Sequence, residues 1–290
     1  DGNSRVIGKT SKNSLLISRI KIMVYGGFNR TFYNSNEKKN RFEAFIKNKI
    51  SIKRMLKQSI IFRSARFLKH YYKFMKLNDD RFNLSFNNCW PILDEWSADH
   101  GFDRHYVYHT SWAARIIANN PPQLHIDIAS DLSFSTLISA FTRVDYYDYR
   151  KLDLELDGIN IGVADLLELP FASNSIKSVS CMHVIEHIGL GRYGEPIDPT
   201  GDIKAISELI RILAPKGRLF FVVPIGKSRI EFNAHRIYDK AQILTLFSKL
   251  NILDFTLIPD SGKDGGLVKN PPESLLSKQV TGCGCFLFEK

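Results

Sequence analysis

From about residue 112 onward, short apolar runs alternate with stretches of helical period, and polar, Gly or Pro residues stand at the junctions. "WAARIIANN" (112–120) reads as the end of a helix, stopped by Pro121 and Pro122, whose rings cannot continue it. "LHIDIAS" (124–130) is a short apolar run fit for a buried parallel strand. "FSTLISAF" (134–141) follows as a helix, and "RVDYYDY" (143–149), "INIGVAD" (159–165) and "SVSCMHV" (178–184) are three further strands. "DIKAISELIRIL" (202–213) puts Ile203, Ile206, Leu209, Ile210 and Leu213 on one helical face; Asp202 is a candidate cap and Pro215 with Gly217 the stop. "RLFFVVPI" (218–225) is a buried strand, "KAQILTLFSKL" (240–250) a helix, and "NILDFTLIP" (251–259) and "GCFLFEK" (284–290) the last two strands. This order predicts an α/β domain: a doubly wound, mostly parallel, seven-stranded sheet closed by an antiparallel C-terminal hairpin.

The first third reads differently. Residues 1–90 hold 20 Lys/Arg against 5 Asp/Glu, whereas residues 91–290 hold 20 against 25. The net charge of +10 therefore belongs to a basic extension, residues 1–90, ahead of a domain spanning 91–290. Within the extension Phe42, Phe45, Ile46, Met55, Leu56, Phe67, Leu68, Tyr71 and Tyr72 recur at helical spacing among basic residues. That pattern suits helices with a solvated basic face, and also an amphipathic surface for anionic lipid. Nucleic acid has only the charge in its favour, because the aromatics lack the spacing of a base-stacking module. No run approaches the ~20 apolar residues of a membrane span, and the N-terminal stretch does not read as the compact apolar core and small-residue cleavage site of a signal peptide. The expected location is the cytoplasm, with residues 1–90 a candidate contact to a membrane surface. Cys89, Cys181, Cys283 and Cys285 are too few for a disulfide framework, and "CGC" lacks the second ligand pair of a structural zinc site.

In a doubly wound sheet the ligand lies beyond the C-terminal ends of the strands, near the point where strand order reverses. Acids stand at those ends: Asp127 after the first strand, Asp148 after the second, Asp165 after the third. Asp148 follows Asp127 by 21 residues, an interval that suits an acidic group on ribose hydroxyls. The fourth strand delivers "HVIEHIGLGRYGEPIDP" (183–199), the most unusual stretch of the chain. Each acid taken alone is more often a helix cap or turn residue; their recurrence at successive strand ends describes a nucleoside-type cofactor site.

"HIDIAS", "VDYYDY", "VADLLELPFASNSIKSVSCMHVIEH" and "AISELIRILAPKGRLFFVVPI" resemble successive motifs of the class I S-adenosylmethionine-dependent methyltransferases, which have a Rossmann-like fold. "HVIEHIGLGRYGEPIDPTGD", "FNAHRIY" and "GCGCFLFEK" resemble, more narrowly, an uncharacterised methyltransferase-like group. The resemblance spans roughly residues 105–290 and implies S-adenosylmethionine as cofactor. It places Asp127, Ala129 and Ser130 under the methionine portion, Asp148 at the ribose, Asp165 and Leu166 at the adenine, and His183 near the sulfonium. Three positions depart from the pattern. Ala129 and Asp131 stand where the family has glycine, and Lys177 where it has Asp.

The loop after the fourth strand admits several chemistries. His183-Val-Ile-Glu186-His187 formally matches an inverted zinc-protease motif, but a strand enters it and glycines follow it, so the required helix is excluded. A divalent ion held by Glu186, His187, Asp198 or Asp202 is one alternative; histidines hydrogen-bonded inside the loop are another. The reading carried forward has no metal and assigns acid/base work: His187 as general base, Glu186 orienting it, His235 in reserve. Arg192, Tyr193 and Arg236 are the candidate substrate contacts. The expected activity is O-methylation of a glycan or other polar small molecule. The rivals are a catalytically silent protein on the same fold and a nucleic-acid methyltransferase using the basic extension.

Overall fold

In the computed structural model, which describes residues 59–78, 81–96, 98 and 100–290, two units separate, Asp1–His100 and Gly101–Lys290. In the first, α1 (Ile60–Leu77) starts at Ser59, whose hydroxyl accepts the Phe62 N–H at 3.2 Å. The helix buries none of its residues. Aromatic contacts hold the following segment to it: Arg66 lies over Trp96 at 4.3 Å, and Tyr71 meets Phe86 edge-on. Phe67, Leu68, Tyr71 and Tyr72 of the expected stripe lie on α1; Phe42, Phe45, Ile46, Met55 and Leu56 lie outside the described residues. Among the described residues no helix is long and apolar enough to cross a membrane.

The second unit opens with α2 (Arg104–Asn119), capped by Asp103, which accepts the N–H groups of His105 and Tyr106. Then come β1 (Leu124–Ile128), α3 (Leu132–Ile138), β2 (Arg143–Asp148), β3 (Ile159–Val163) and β4 (Ile176–Met182). A single 3-10 turn, Ile185–His187, follows β4. The remainder is α4 (Gly201–Ile212), β5 (Leu213–Ile225), β6 (Arg229–Glu231), β7 (His235–Ile237), α5 (Lys240–Leu246), β8 (Asn251–Ile258), β9 (Val268–Lys269), α6 (Glu273–Leu276) and β10 (Gly282–Glu289).

The main sheet runs β3-β2-β1-β4-β5-β10-β8-β9. Strands β1 to β5 are mutually parallel, and β10 is antiparallel to both β5 and β8. The predicted architecture is therefore present. The C-terminal antiparallel pair forms by insertion, with β10 entering between β5 and β8, and β9 adds a short eighth strand at the edge. Sequence order reverses between β1 and β4, which sets the crevice at their C-terminal ends.

The unbroken apolar runs are explained by helices on both faces. Side chains alternate across a strand: Phe221 and Val223 join one core with Leu209 and Phe247, while Phe220 and Val222 join the other with Trp112 and Ile117. The α4 reading needs correction. Its N-cap is Thr200, and Asp202 is buried, accepting the Tyr238 hydroxyl at 3.0 Å with Arg236 Nε at 3.6 Å. Buried partners far along the chain claim the carboxylate. Ile203 faces solvent, and the packed face is Ala205, Ile206, Leu209 and Ile212.

Candidate active site

The crevice floor begins at the end of β1. Asp127 is fully buried; its carboxylate accepts the Ser130 N–H at 2.9 Å and the Ser180 hydroxyl. Ser180 Oγ also lies 2.9 Å from His125 Nε2, and His125 Nδ1 meets Ser178 Oγ at 2.8 Å. Serine, histidine and aspartate thus share a relay, but all three are sealed in the core, so it braces β1 against β4 and is no nucleophilic triad. Burial pushes the Asp127 carboxyl up to about 6 and the His125 imidazole down to about 3. The expectation that Asp127 faces a cofactor is corrected: it points inward and shapes the loop above it.

That loop takes an unusual path. Ala129 has φ +54°, in the left-handed region that disfavours a Cβ, and its N–H donates to Tyr147 O at 2.7 Å. An alanine thus holds a conformation that glycine adopts freely. Ser130 is buried, and its hydroxyl accepts the Met182 N–H at 3.1 Å, joining the β1 and β4 ends. Asp131 caps α3 by accepting the Ser133 N–H at 2.9 Å.

Asp148 ends β2 as expected and carries a partner the sequence reading missed. Arg150 donates to it through its backbone N–H at 2.8 Å, Nε at 3.1 Å and Nη2 at 3.3 Å. The Arg150 side chain is 63% exposed and lies over Tyr193 at 5.0 Å, linking the β2 end to the loop after β4. Asp165 follows β3 and accepts the Leu167 N–H at 2.8 Å, while Leu166 is buried in the core.

Beyond β4 the chain turns sharply at His183, φ +57°. His183 Nδ1 bonds Glu186 Oε1 at 2.8 Å, and Glu186 is buried beneath it with Oε2 unpartnered among the described residues. Burial lifts the Glu186 carboxyl to about 7 and lowers the His183 imidazole to about 4. Glu186 therefore holds His183 first, with His187 Nε2 3.9 Å away from the same oxygen. His187 Nδ1 donates to Ala234 O at 2.7 Å, a bond that assigns the proton to Nδ1 and the lone pair to Nε2. Burial lowers its pKa, partly opposed by the Glu186 charge. His235, on β7, stands 6.3 Å from the His187 ring and 3.4 Å from Glu231.

The substrate candidates separate. Arg192 and Tyr193 stay on the surface of the loop, Arg192 donating to Ala234 O at 2.9 Å and lying over Tyr193 at 5.2 Å. Arg236 is corrected: it is buried, donates to Ile188 O at 2.6 Å and Pro199 O at 3.3 Å, and pins both ends of the loop. Gly189 needs to be glycine, because at φ +79° a Cβ would strike the Asp198 carbonyl. Asp198 itself is held by Lys204 at 2.6 Å and by Thr200.

Residues outside the predicted set also converge here. His105, Tyr106 and His109 on α2 pack around the His183 ring at 5.5, 5.5 and 5.1 Å, and Cys283 Sγ on β10 lies 3.4 Å from His183 Nε2. The i, i+4 pair His105 and His109 with Tyr106 between them was the available signal. A cleft of 340 Å³ lined by Ile117, Pro121, Lys177, Arg218 and Phe220 opens at the opposite end of the sheet, away from these groups.

The sheet is parallel from β3 through β2, β1 and β4 to β5, with an antiparallel strand inserted beside β5. This is the class I methyltransferase fold. A family model described as "Caenorhabditis protein of unknown function, DUF268" matches residues 169–262, the stretch from the β3–β4 connection through β8. Uncharacterized protein MJ0638 of Methanocaldococcus jannaschii is 35% identical over 80 residues, 27% of this chain and 30% of that protein's length. Solved structures similar to the chain include the N-methyltransferase NodS from Bradyrhizobium japonicum with S-adenosyl-L-homocysteine (14% identity, 76% of this chain and 97% of that one, TM-score 0.44). Another is the Burkholderia thailandensis 1,6-didemethyltoxoflavin-N1-methyltransferase (12% identity, 79% and 87%, TM-score 0.45).

Proposed function

We propose that the second unit is an S-adenosylmethionine-dependent methyltransferase acting on a hydroxyl of a glycan or other polar small molecule. The observation that carries this is the pairing, on one class I sheet, of an acid at the β2 end with a tautomer-fixed imidazole in the loop after β4. Asp148, with two acceptor oxygens at the β2 end, suits the two hydroxyls of a ribose once Arg150 swings aside, and the exposure of Arg150 permits that movement. The left-handed turn at Ala129 and the Asp165–Leu166 segment would hold the remaining portions.

When bound, the sulfonium supplies an activated methyl group. The chain's own residues do the rest. His187 offers the Nε2 lone pair to the acceptor's proton, and burial keeps that ring neutral at pH 7. Glu186, 3.9 Å from Nε2, stabilises the imidazolium that forms. Arg192 and Tyr193 are donors for a polar acceptor at the mouth of the loop.

A catalytically silent binding protein is the second reading, favoured by the three donor contacts through which Arg150 holds Asp148. Calorimetric titration with S-adenosylmethionine and S-adenosylhomocysteine decides between cofactor binding and none. Saturable binding that weakens in Asp148→Ala supports the methyltransferase. No binding by either the native chain or Arg150→Ala overturns it.

A further inference from the structure

We propose that His105, His183 and Cys283 form a binding site for a divalent transition metal of the zinc type. The three side chains come from the first turn of α2, the turn after β4 and the start of β10. Each contributes one ligand atom, and these atoms all lie within 4.8 Å of one another. Cys283 Sγ and His183 Nε2 stand 3.4 Å apart. Two ligands at roughly 2.3 Å (sulfur) and 2.1 Å (nitrogen) from a tetrahedral ion would be separated by about 3.5 Å. Closing the set asks for a small rotation of His105, which sits at the half-exposed start of α2.

Four features go beyond proximity. First, Glu186 binds the far nitrogen of His183 at 2.8 Å. A carboxylate behind a histidine is the usual outer support of a metal ligand, fixing the ring and leaving Nε2 to face the ion. Second, His183 keeps a left-handed backbone that its Cβ disfavours, and this conformation aims the ring at Cys283. Third, His109 donates Nδ1–H to His105 O at 2.7 Å, so its buried Nε2 carries a lone pair with no partner among the described residues. That nitrogen, on a ring 5.1 Å from His183, suits a proton of a metal-bound water. Fourth, the charges balance with the ion bound: a dication that displaces the Cys283 proton, the thiolate so formed and the Glu186 carboxylate sum to zero.

Two imidazoles and one thiolate are a borderline-soft donor set that suits zinc, and three protein ligands leave a fourth position open. The set lies at the C-terminal ends of β4 and β5, where Cys283 pairs with Pro224. A water or an acceptor hydroxyl could take the open position. Metal binding itself stands without the cofactor reading, since none of its ligands depends on Asp148.

The test uses the full chain, stripped with a chelator and titrated with cobalt(II) alone. One equivalent should bind, with a thiolate-to-cobalt charge-transfer band and the strong visible bands of tetrahedral cobalt, and zinc(II) should abolish both. Cys283→Ser should lose the charge-transfer band, whereas Cys89→Ser should keep it. His105→Gln, at the half-exposed helix start, tests the site with the thiol intact and should weaken cobalt binding. Glu186→Gln should weaken it by about 10–100-fold, the usual worth of an outer-shell partner. Absence of cobalt binding, or a charge-transfer band that persists in Cys283→Ser, would overturn the proposal.

Discussion

Asp127→Asn tests whether the acid at the end of β1 is a structural group. The carboxylate is fully buried, and its contacts are the Ser130 N–H and the Ser180 hydroxyl. Those bonds favour the ionised form, but desolvation outweighs them and lifts the pKa from 3.8 to about 6. A shift of about two units corresponds to roughly 3 kcal/mol between the two protonation states. The folded pKa is raised above the unfolded one. This group's stabilisation is therefore complete below pH 3.8 and is lost as pH rises through about 6. Asparagine keeps an acceptor for Ser130 and gives the Ser180 oxygen a donor, so that hydroxyl can turn to His125. Urea unfolding of both proteins at pH 8 should show the variant at least as stable as the native chain, by up to about 3 kcal/mol. The gap should close as pH falls below 4. The difference between the two curves isolates Asp127 from the buried histidines, which act with the opposite sign: His125 opposes folding in acid as pH falls from 6.5 toward 3. A variant markedly less stable at pH 8, with a gap independent of pH, would refute the reasoning and show that an ionised Asp127 is needed.

Asp148→Ala should weaken S-adenosylmethionine binding by about 1.5–3 kcal/mol, the scale for hydrogen bonds to a charged group; Arg150→Ala should strengthen it, and calorimetry reads both. His187→Ala should leave cofactor affinity unchanged and lower turnover by about 10²–10⁴-fold. The native pH–rate profile should rise through an apparent pKa below 6.5, because burial lowers the His187 value. Arg236→Met should free the loop between Ile188 and Pro199 and strand the Asp202 charge, costing about 3–5 kcal/mol in chemical denaturation.

The sheet was legible because strands covered on both faces are apolar along most of their length, whereas helices covered on one face alternate with the helical period. Phe220 and Phe221 are adjacent in sequence and enter opposite cores, and only a strand between two layers accommodates that. What escaped were short pairings without such a signature: β6 with β7, and β9 at the sheet edge. Polar residues were harder, since an acid near a helix start satisfies the cap pattern whether or not it caps. Asp202 bonds Tyr238, 36 residues away, and no local feature distinguishes that from a cap. Asp127 failed for a related reason. A strand end locates the backbone, but a neighbouring strand's hydroxyl at Ser180 decides which way the carboxylate turns. The same limit hid the cluster around His183. Cys283 is 100 residues away and reaches it because β10 inserts beside β5, so linear spacing carried no trace of the pair. Position along the sheet was thus readable from single strands, whereas the chemistry at each position depends on pairs of strands. For that reason the decisive variants are those at residues holding two elements together: Asp127 between β1 and β4, and Cys283 between β10 and the turn after β4.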